Sequence, residues 1–440
     1  MRLRMVSSAV LGFAAVACSW GRFDDVADGA PVVVLEKPRD VRSGFGSALA
    51  AATRNGRAAL LVGGTPGASH AALFDLGRGE LPVEHALMDD LCSSDRGRCF
   101  LTDRPAALPR VVAPSGLELE FCFAVGAGAF SGQAPGVLVE CESRDRFTIP
   151  VPEALDAALR SGGSQPEPQM IALAAVGAPE PGLLAGSEQH GLAWYYPEVS
   201  AAPIDLVPVQ GWEPGFGASV AAAPVGEERL LAVGSPASGR VHLFRTNDDG
   251  VPRPAACVEA GPGFGRSLAL GPLTAGDDEP ELLVGDGHMV TVLEVAPLLE
   301  GAADPCVRLE DAAEVAHLAC RETGEVTGCS EAELGSTLVL GDIDGDGDNE
   351  VLAGAPGLTV RGIARAGAIV VYDVEGPGDA EPVDVKFLSS AQNGDELGRG
   401  LAAARVGARD IIAAGAPGSA RAALFYCPAL PAVISGSRCR

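Results

Sequence analysis

Residues 341–356 read GDIDGDGDNEVLAGAP. Carboxylates fall on every second residue, at Asp342, Asp344, Asp346, Asp348 and Glu350, and an apolar run follows at once. Unneutralised, such groups repel one another and oppose a compact turn. A hard cation resolves the conflict. Ca2+ gathers about six to eight oxygens from carboxylates, backbone carbonyls and water in a flexible geometry. Counting from Asp342, carboxylates stand at positions one, three and five, and Gly347 at six permits a sharp bend. Asp348 at seven can offer its backbone carbonyl, and Glu350 stands at nine. Mg2+ demands a tighter octahedron and retains more water, so one structural Ca2+ is expected. An EF-hand would need a bidentate glutamate at position twelve and a helix beyond it. Position twelve is Ala353, inside an apolar run that reads as strand. An acidic solvated turn is the competing reading. A weaker second calcium candidate is Asp277, Asp278 and Glu279, where the acids run unbroken.

Other chemistry finds little support. G-x-S-x-G and H-E-x-x-H signatures are absent. The histidines (His70, His85, His190, His242, His288 and His317) are scattered, and Lys37 and Lys386 are the only lysines. Gly261-Pro-Gly-Phe-Gly265 is glycine-rich, but no helix follows to hold a phosphate. No catalytic residue is assigned, and the expectation is that the chain is not an enzyme. A formal charge of −26 repels phosphate backbones and argues against nucleic-acid binding.

The N-terminus MRLRMVSSAVLGFAAVAC has a basic start, an apolar stretch too short to span a bilayer and a small-residue cleavage site. Residues 1–17 are expected to be a signal peptide. Cys18 follows directly, and the arrangement resembles a bacterial lipobox, although Ala15 stands where leucine is usual. Lipidation at Cys18 is therefore expected, with residues 18–30 as anchor and linker; plain secretion is the alternative. Eleven cysteines then leave ten. Export permits disulfides, and near neighbours suggest Cys92 with Cys99, Cys122 with Cys141, Cys320 with Cys329 and Cys427 with Cys439. Cys257 and Cys306 are left for each other. Their spacings do not resemble a zinc site.

The elements that must hold the acidic loop emerge from self-similarity. Gly44-Phe-Gly-Ser-Ala-Leu runs on to ALLVGGTPG and AALFDL; Gly215-Phe-Gly-Ala-Ser-Val to LLAVGSPASG and VHLF; Gly263-Phe-Gly-Arg-Ser-Leu to ELLVGDG and VTVLEV. Glu333-Leu-Gly-Ser-Thr-Leu runs to EVLAGAP and AIVVYDV, and Glu396-Leu-Gly-Arg-Gly-Leu to IIAAGAPG and AALFYC. A sixth copy, IALAAVGAPEPG then GLAWYY, lacks a clear Phe-Gly opening. Short apolar runs bounded by Gly and Pro read as strands. The acidic loop falls between the first and second strands of the copy near Leu334. Equivalent loops are degraded, with Glu227 and Glu228 in one and only Asp410 in another.

This grammar resembles the FG-GAP repeat of integrin α-subunit heads and their bacterial relatives. The resemblance covers residues 31–430 and implies an all-β fold, a β-propeller in which each repeat makes one four-stranded blade. It also implies that the acidic loop is the family's calcium loop, with Glu350 where aspartate is usual. Seven blades are favoured, with six the alternative. Residues 77–168 are either a degenerate blade or a disulfide-pinned insertion. The last repeat lacks a fourth strand, which residues 31–37 can supply, closing the ring. Residues 431–440 remain as a tail.

The function expected is non-enzymatic recognition or adhesion at the cell surface or envelope, binding a protein or glycan. Trp194, Tyr195, Tyr196 and Trp212 are the candidate ligand-face aromatics. The alternatives are a structural envelope component, or a propeller enzyme acting on glycans or phosphoesters.

Overall fold

The computed structural model describes residues 32–37, 44–64, 71–77, 83–88, 99–128, 136–156, 171–176, 181–208, 210–247, 249–274, 276, 279–300, 306–374, 378–407 and 409–425 of the chain. The fold is nearly all β. Antiparallel pairing sorts the main strands into consecutive groups of four. The first group is Ala48–Arg54, Arg57–Gly63, Ala71–Gly77 and Val83–Met88; the second is Cys99–Val112, Glu118–Gly128, Gly136–Cys141 and Arg146–Pro150. The third is Ile171–Val176, Gly182–Ser187, Leu192–Tyr196 and Ile204–Leu206. One parallel pair, Arg104 with Ala172, joins the second and third into an eight-stranded sheet.

The fourth group is Ser219–Val225, Glu228–Ser235, Arg240–Thr246 and Pro252–Glu259; the fifth is Ser267–Gly271, Glu281–Gly285, Met289–Glu294 and Glu314–Ala319. Each gains a short parallel strand, Val307–Arg308 and Gly378–Ala380 respectively. The sixth is Leu338–Gly341, Glu350–Ala355, Ala368–Tyr372 and Asp384–Lys386. The seventh draws on both ends of the chain. After Leu401–Val406, Arg409–Ala416 and Arg421–Phe425 comes Val32–Glu36, with Val32 opposite Phe425 and Glu36 opposite Arg421. The N-terminal segment thus completes the last repeat, as its missing fourth strand suggested.

Consecutive groups share their cores. In the sixth group Val351 and Ala353 pack with Leu283 and Val292 of the fifth, whereas Leu352 packs with Ile412 and Ala414 of the seventh. Leu60 and Val62 of the first pack with Ala413 and Leu424 of the seventh, and Leu61 and Leu73 with Phe123 and Leu138 of the second. Strands covered on both faces read as continuous apolar runs, and Glu350–Ala355 is buried along its whole length. The first strands of neighbouring groups lie side by side, including those of the first and seventh. Alanines crowd there, at Ala48, Ala50 and Ala52 and at Ala402 and Ala404, because converging backbones leave little room.

The repeat's two glycine signatures are two sides of one contact. A Cβ on Gly415 would lie 1.5 Å from the Gly46 carbonyl oxygen, and one on Gly354 would lie 2.1 Å from that of Gly398. Gly354 and Gly415 lie near the ends of second strands, while Gly46 and Gly398 sit in the Phe-Gly or Leu-Gly turn of the following group. The same pairing joins Gly186 to Gly217, Gly234 to Gly265 and Gly285 to Gly335. Only glycine permits so close a backbone approach.

Three of the suggested disulfides are formed: Cys122–Cys141, Cys257–Cys306 and Cys320–Cys329. The Cys92–Cys99 and Cys427–Cys439 suggestions fall wholly or partly outside the described residues, as do the signal peptide and Cys18. The expectation of a ligand-facing aromatic cluster is corrected. Trp194, Tyr195 and Tyr196 are fully buried, because their strand is sandwiched between the second and fourth groups. Their polar atoms are spent inside: Trp194 Nε1 donates to Tyr196 Oη at 2.8 Å, Tyr196 Oη donates to Pro150 O at 2.6 Å, and Arg229 Nη1 donates to Tyr195 Oη. Trp212 alone of the four is open to solvent, at 73% exposure.

Candidate metal centre

The acidic loop spans residues 342–349, between Leu338–Gly341 and Glu350–Ala355, with Gly341 opposite Glu350. The chain turns sharply at Gly345 and Gly347, whose φ angles are +85° and +105°. Ile343 anchors the loop by entering the core shared by the sixth and seventh groups. Successive carboxylates cap the turn's own amides. Asp342 Oδ1 accepts Gly345 N at 2.7 Å, Asp344 Oδ1 accepts Asp346 N at 3.1 Å, and Asp346 Oδ1 accepts Asp348 N at 2.9 Å. Glu350 Oε2 reaches back to accept Ile343 N at 2.7 Å.

Asp342, Asp344 and Glu350 converge, with one oxygen from each within 4.8 Å of the others, and all three are buried. Asp346 and Asp348 lie outside that cluster. Burial, followed by the charges of Asp344, Asp346 and Asp342, pushes the Glu350 carboxyl up to about 8. Burial and then Asp346 also raise Asp344. Three carboxylates held together in a desolvated turn need a proton or a cation between them. The donor set is all hard oxygen, which suits Ca2+ or Mg2+ and not a thiophilic metal. The triad can therefore hold a metal ion. Ala353, where an EF-hand needs its glutamate, is a fully buried strand residue. Of the weaker candidate, Asp277 and Asp278 lie outside the described residues.

Neighbouring groups clamp the loop from both sides. Asn349 N donates to Leu273 O at 2.7 Å and Asn349 Nδ2 to Pro272 O at 2.8 Å, tying it to the equivalent loop of the fifth group. On the other side Asp410 N donates to Asp342 O at 2.7 Å, and Asp342 N donates to Asp410 Oδ2 at 2.9 Å. Arg405 Nη1 donates to Asp342 Oδ2 at 2.8 Å. Sequence reasoning passed over Arg405 and saw Asp410 only as the remnant of a degraded loop.

A second polar cluster lies in the fourth group. Glu213 Oε2 and His242 Nε2 are 3.0 Å apart and both residues are buried, while Arg240 Nη1 donates to Glu213 Oε1 at 2.8 Å. Burial holds the His242 imidazole below its ordinary pKa. Ser238 Oγ donates to Glu213 Oε2, the carboxylate oxygen that His242 also contacts. A hydroxyl paired with the carboxylate is not primed by the imidazole as a nucleophile.

Comparison of the whole chain with curated proteins gives no match. Residues 334–372, which hold the acidic triad and three of the strands around it, match the family model of the FG-GAP repeat, so the chain carries an FG-GAP repeat at this position.

Proposed function

We propose that the chain is an exported β-propeller of seven four-stranded blades, closed by Val32–Glu36, that holds one structural Ca2+ and presents its loops to a protein or glycan ligand at the cell surface. A lipid on Cys18 anchors it to the envelope. The observation that carries this reading is the convergence of Asp342, Asp344 and Glu350 inside the repeat that matches FG-GAP. Bound there, the ion supplies the positive charge that lets all three carboxylates ionise in a buried turn. The shared cores, passing from group to group and from the seventh to the first, support the ring.

A depression of about 530 Å³ is lined by Glu259, Ala260, Arg308, Leu309, Glu310 and His317 and offers polar groups to a ligand. Trp212, the exposed aromatic among the four candidates, remains as a platform for a sugar ring. The test is calcium titration of chelator-stripped protein by calorimetry, with Asp344→Ala beside it. Wild type is expected to take up one ion and melt higher with calcium; the variant is expected to lose most of that rise. Absence of uptake by the wild type would leave the loop as a solvated turn. Pulldown from native envelopes with calcium or chelator then identifies the ligand.

A further inference from the structure

We propose that Arg405 is a built-in counter-cation of the acidic loop, which a divalent ion displaces from Asp342 toward Asp410. The inference rests on the calcium reading above. Arg405 belongs to the first strand of the seventh group and stands directly opposite Asp410 in the ladder. At this end the seventh group has no acidic loop of its own; Val406 and Arg409 pair across a tight turn. The Arg405–Asp410 pair beside that turn reaches the neighbouring group's loop instead.

Both Asp342 carboxylate oxygens are engaged. Oδ1 accepts the Gly345 amide, and Oδ2 accepts Arg405 Nη1 at 2.8 Å. An ion drawn to Asp342, Asp344 and Glu350 therefore meets a guanidinium already on one of its ligands. Two cations on one buried carboxylate repel each other. Asp410 offers the guanidinium another partner, because its Oδ1 lies 3.8 Å from the same Nη1. Asp410 is itself fixed, its amide donating to Asp342 O and its Oδ2 accepting the Asp342 amide, so the acceptor stays in place while Arg405 shifts. Three consequences follow. Arg405 stabilises the metal-free loop, weakens cation binding, and makes metal occupancy act on the contact between the sixth and seventh groups.

The experiment compares the full chain, stripped with chelator, as wild type, Arg405→Gln, Arg405→Lys and Asp410→Asn. Each is titrated with calcium chloride by calorimetry and melted with and without the ion. Arg405→Gln is expected to bind calcium about fivefold or more tightly, a modest effect for a charge that is partly exposed. Its metal-free form is expected to melt lower than wild type and its calcium-loaded form close to it. Arg405→Lys keeps the charge and the wild-type affinity. Asp410→Asn still accepts the Asp342 amide but removes the charge that receives Arg405, so calcium binds more weakly. A purely structural Arg405 would lower both melting points together and leave affinity unchanged or weaker. That outcome, with wild type still binding calcium, overturns this inference and leaves the calcium reading standing. Failure of wild type to bind calcium removes both. Should Arg405→Gln not fold, Asp410→Asn decides, and an unchanged affinity there overturns the inference.

Discussion

Glu350 is the side chain on which the two states of the loop differ most. It is 2% exposed, faces three aspartates in its own turn and carries the first position of a core strand. Its carboxyl sits at about 8, against an ordinary 4.5, with burial as the main cause. A carboxyl raised by folding holds its proton more tightly in the folded chain. Its contribution to stability is therefore complete below the unfolded value and is lost as pH rises through the folded one. Metal-free protein is expected to lose on the order of a few kcal/mol between about pH 4.5 and about pH 8, and Glu350→Gln to flatten that slope. Calcium requires the ionised form, so uptake near pH 7 is expected to expel a proton. Calorimetry in buffers of different ionisation enthalpy measures this; a buffer-independent heat would mean that Glu350 is already ionised. At this scale the sequence was informative where the chemistry is local. The alternation of acids pointed to the turn and its ligands. Asp346, included on spacing, stands beside Asp344 at the edge of the three converging carboxylates. Arg405 was missed because it reaches the turn from another group of strands.

The elements explain why Phe-Gly and Gly-Ala-Pro recur together. Each glycine of the first signature backs onto a glycine of the second in the preceding group, and the amides of Gly46, Gly217, Gly335 and Gly398 in turn bond the strand end of their own group. Gly46 N donates to Gly63 O at 2.9 Å, and Gly398 N to Gly415 O at 3.0 Å. A side chain at Gly415 would strike a backbone oxygen that cannot rotate away. Gly415→Ala is expected to cost about 3 kcal/mol or more, the upper range for overpacking. Gly261→Ala, where a Cβ meets open space, is expected to change stability by no more than about 0.5 kcal/mol. Urea midpoints of the two variants measure the contrast, and equal midpoints would refute the glycine contact as a constraint. One departure from the pattern is instructive. Glu333 and Glu396 occupy left-handed positions that Gly44, Gly215 and Gly263 fill elsewhere, at φ of 53° and 57°. Arg365 and Arg399 each pair with both glutamates. The turn was legible as a repeat position despite the change of residue; the ion pairs around the two glutamates were not.

At the scale of the whole molecule, repetition made the strand order readable, because most groups spell the same alternation of apolar run and glycine turn. Orientation of individual side chains was harder. Trp194, Tyr195 and Tyr196 looked like an exposed aromatic face, yet in a strand covered on both sides there is no solvent face for them to occupy. The missing fourth strand of the last repeat, by contrast, was a deficit visible in the sequence, and Val32–Glu36 fills it. This pairing joins the two ends of the described chain. Leu35 adds to the core between the first and seventh groups, and Val34 packs against the core between the sixth and seventh. Burying a leucine is worth about 1.5–3 kcal/mol, and each ladder hydrogen bond adds about 0.5–1.5 kcal/mol. Deleting residues 32–36 is therefore expected to destabilise by several of these increments together. It also leaves Arg421–Phe425 as an unpaired apolar edge, which invites association between molecules. A synthetic peptide of residues 31–37, PVVVLEK, tests whether the loss is one of pairing. Tethered in the chain, the strand acts at an effective concentration of about millimolar or above, so rescue in trans is expected only in that range. Thermal melting and light scattering of the truncated protein, with and without peptide, provide the measurement. Restored melting with suppressed scattering supports closure by the N-terminal strand. A truncated chain that melts like the parent, without peptide, would show that the seventh group stands on its three remaining strands.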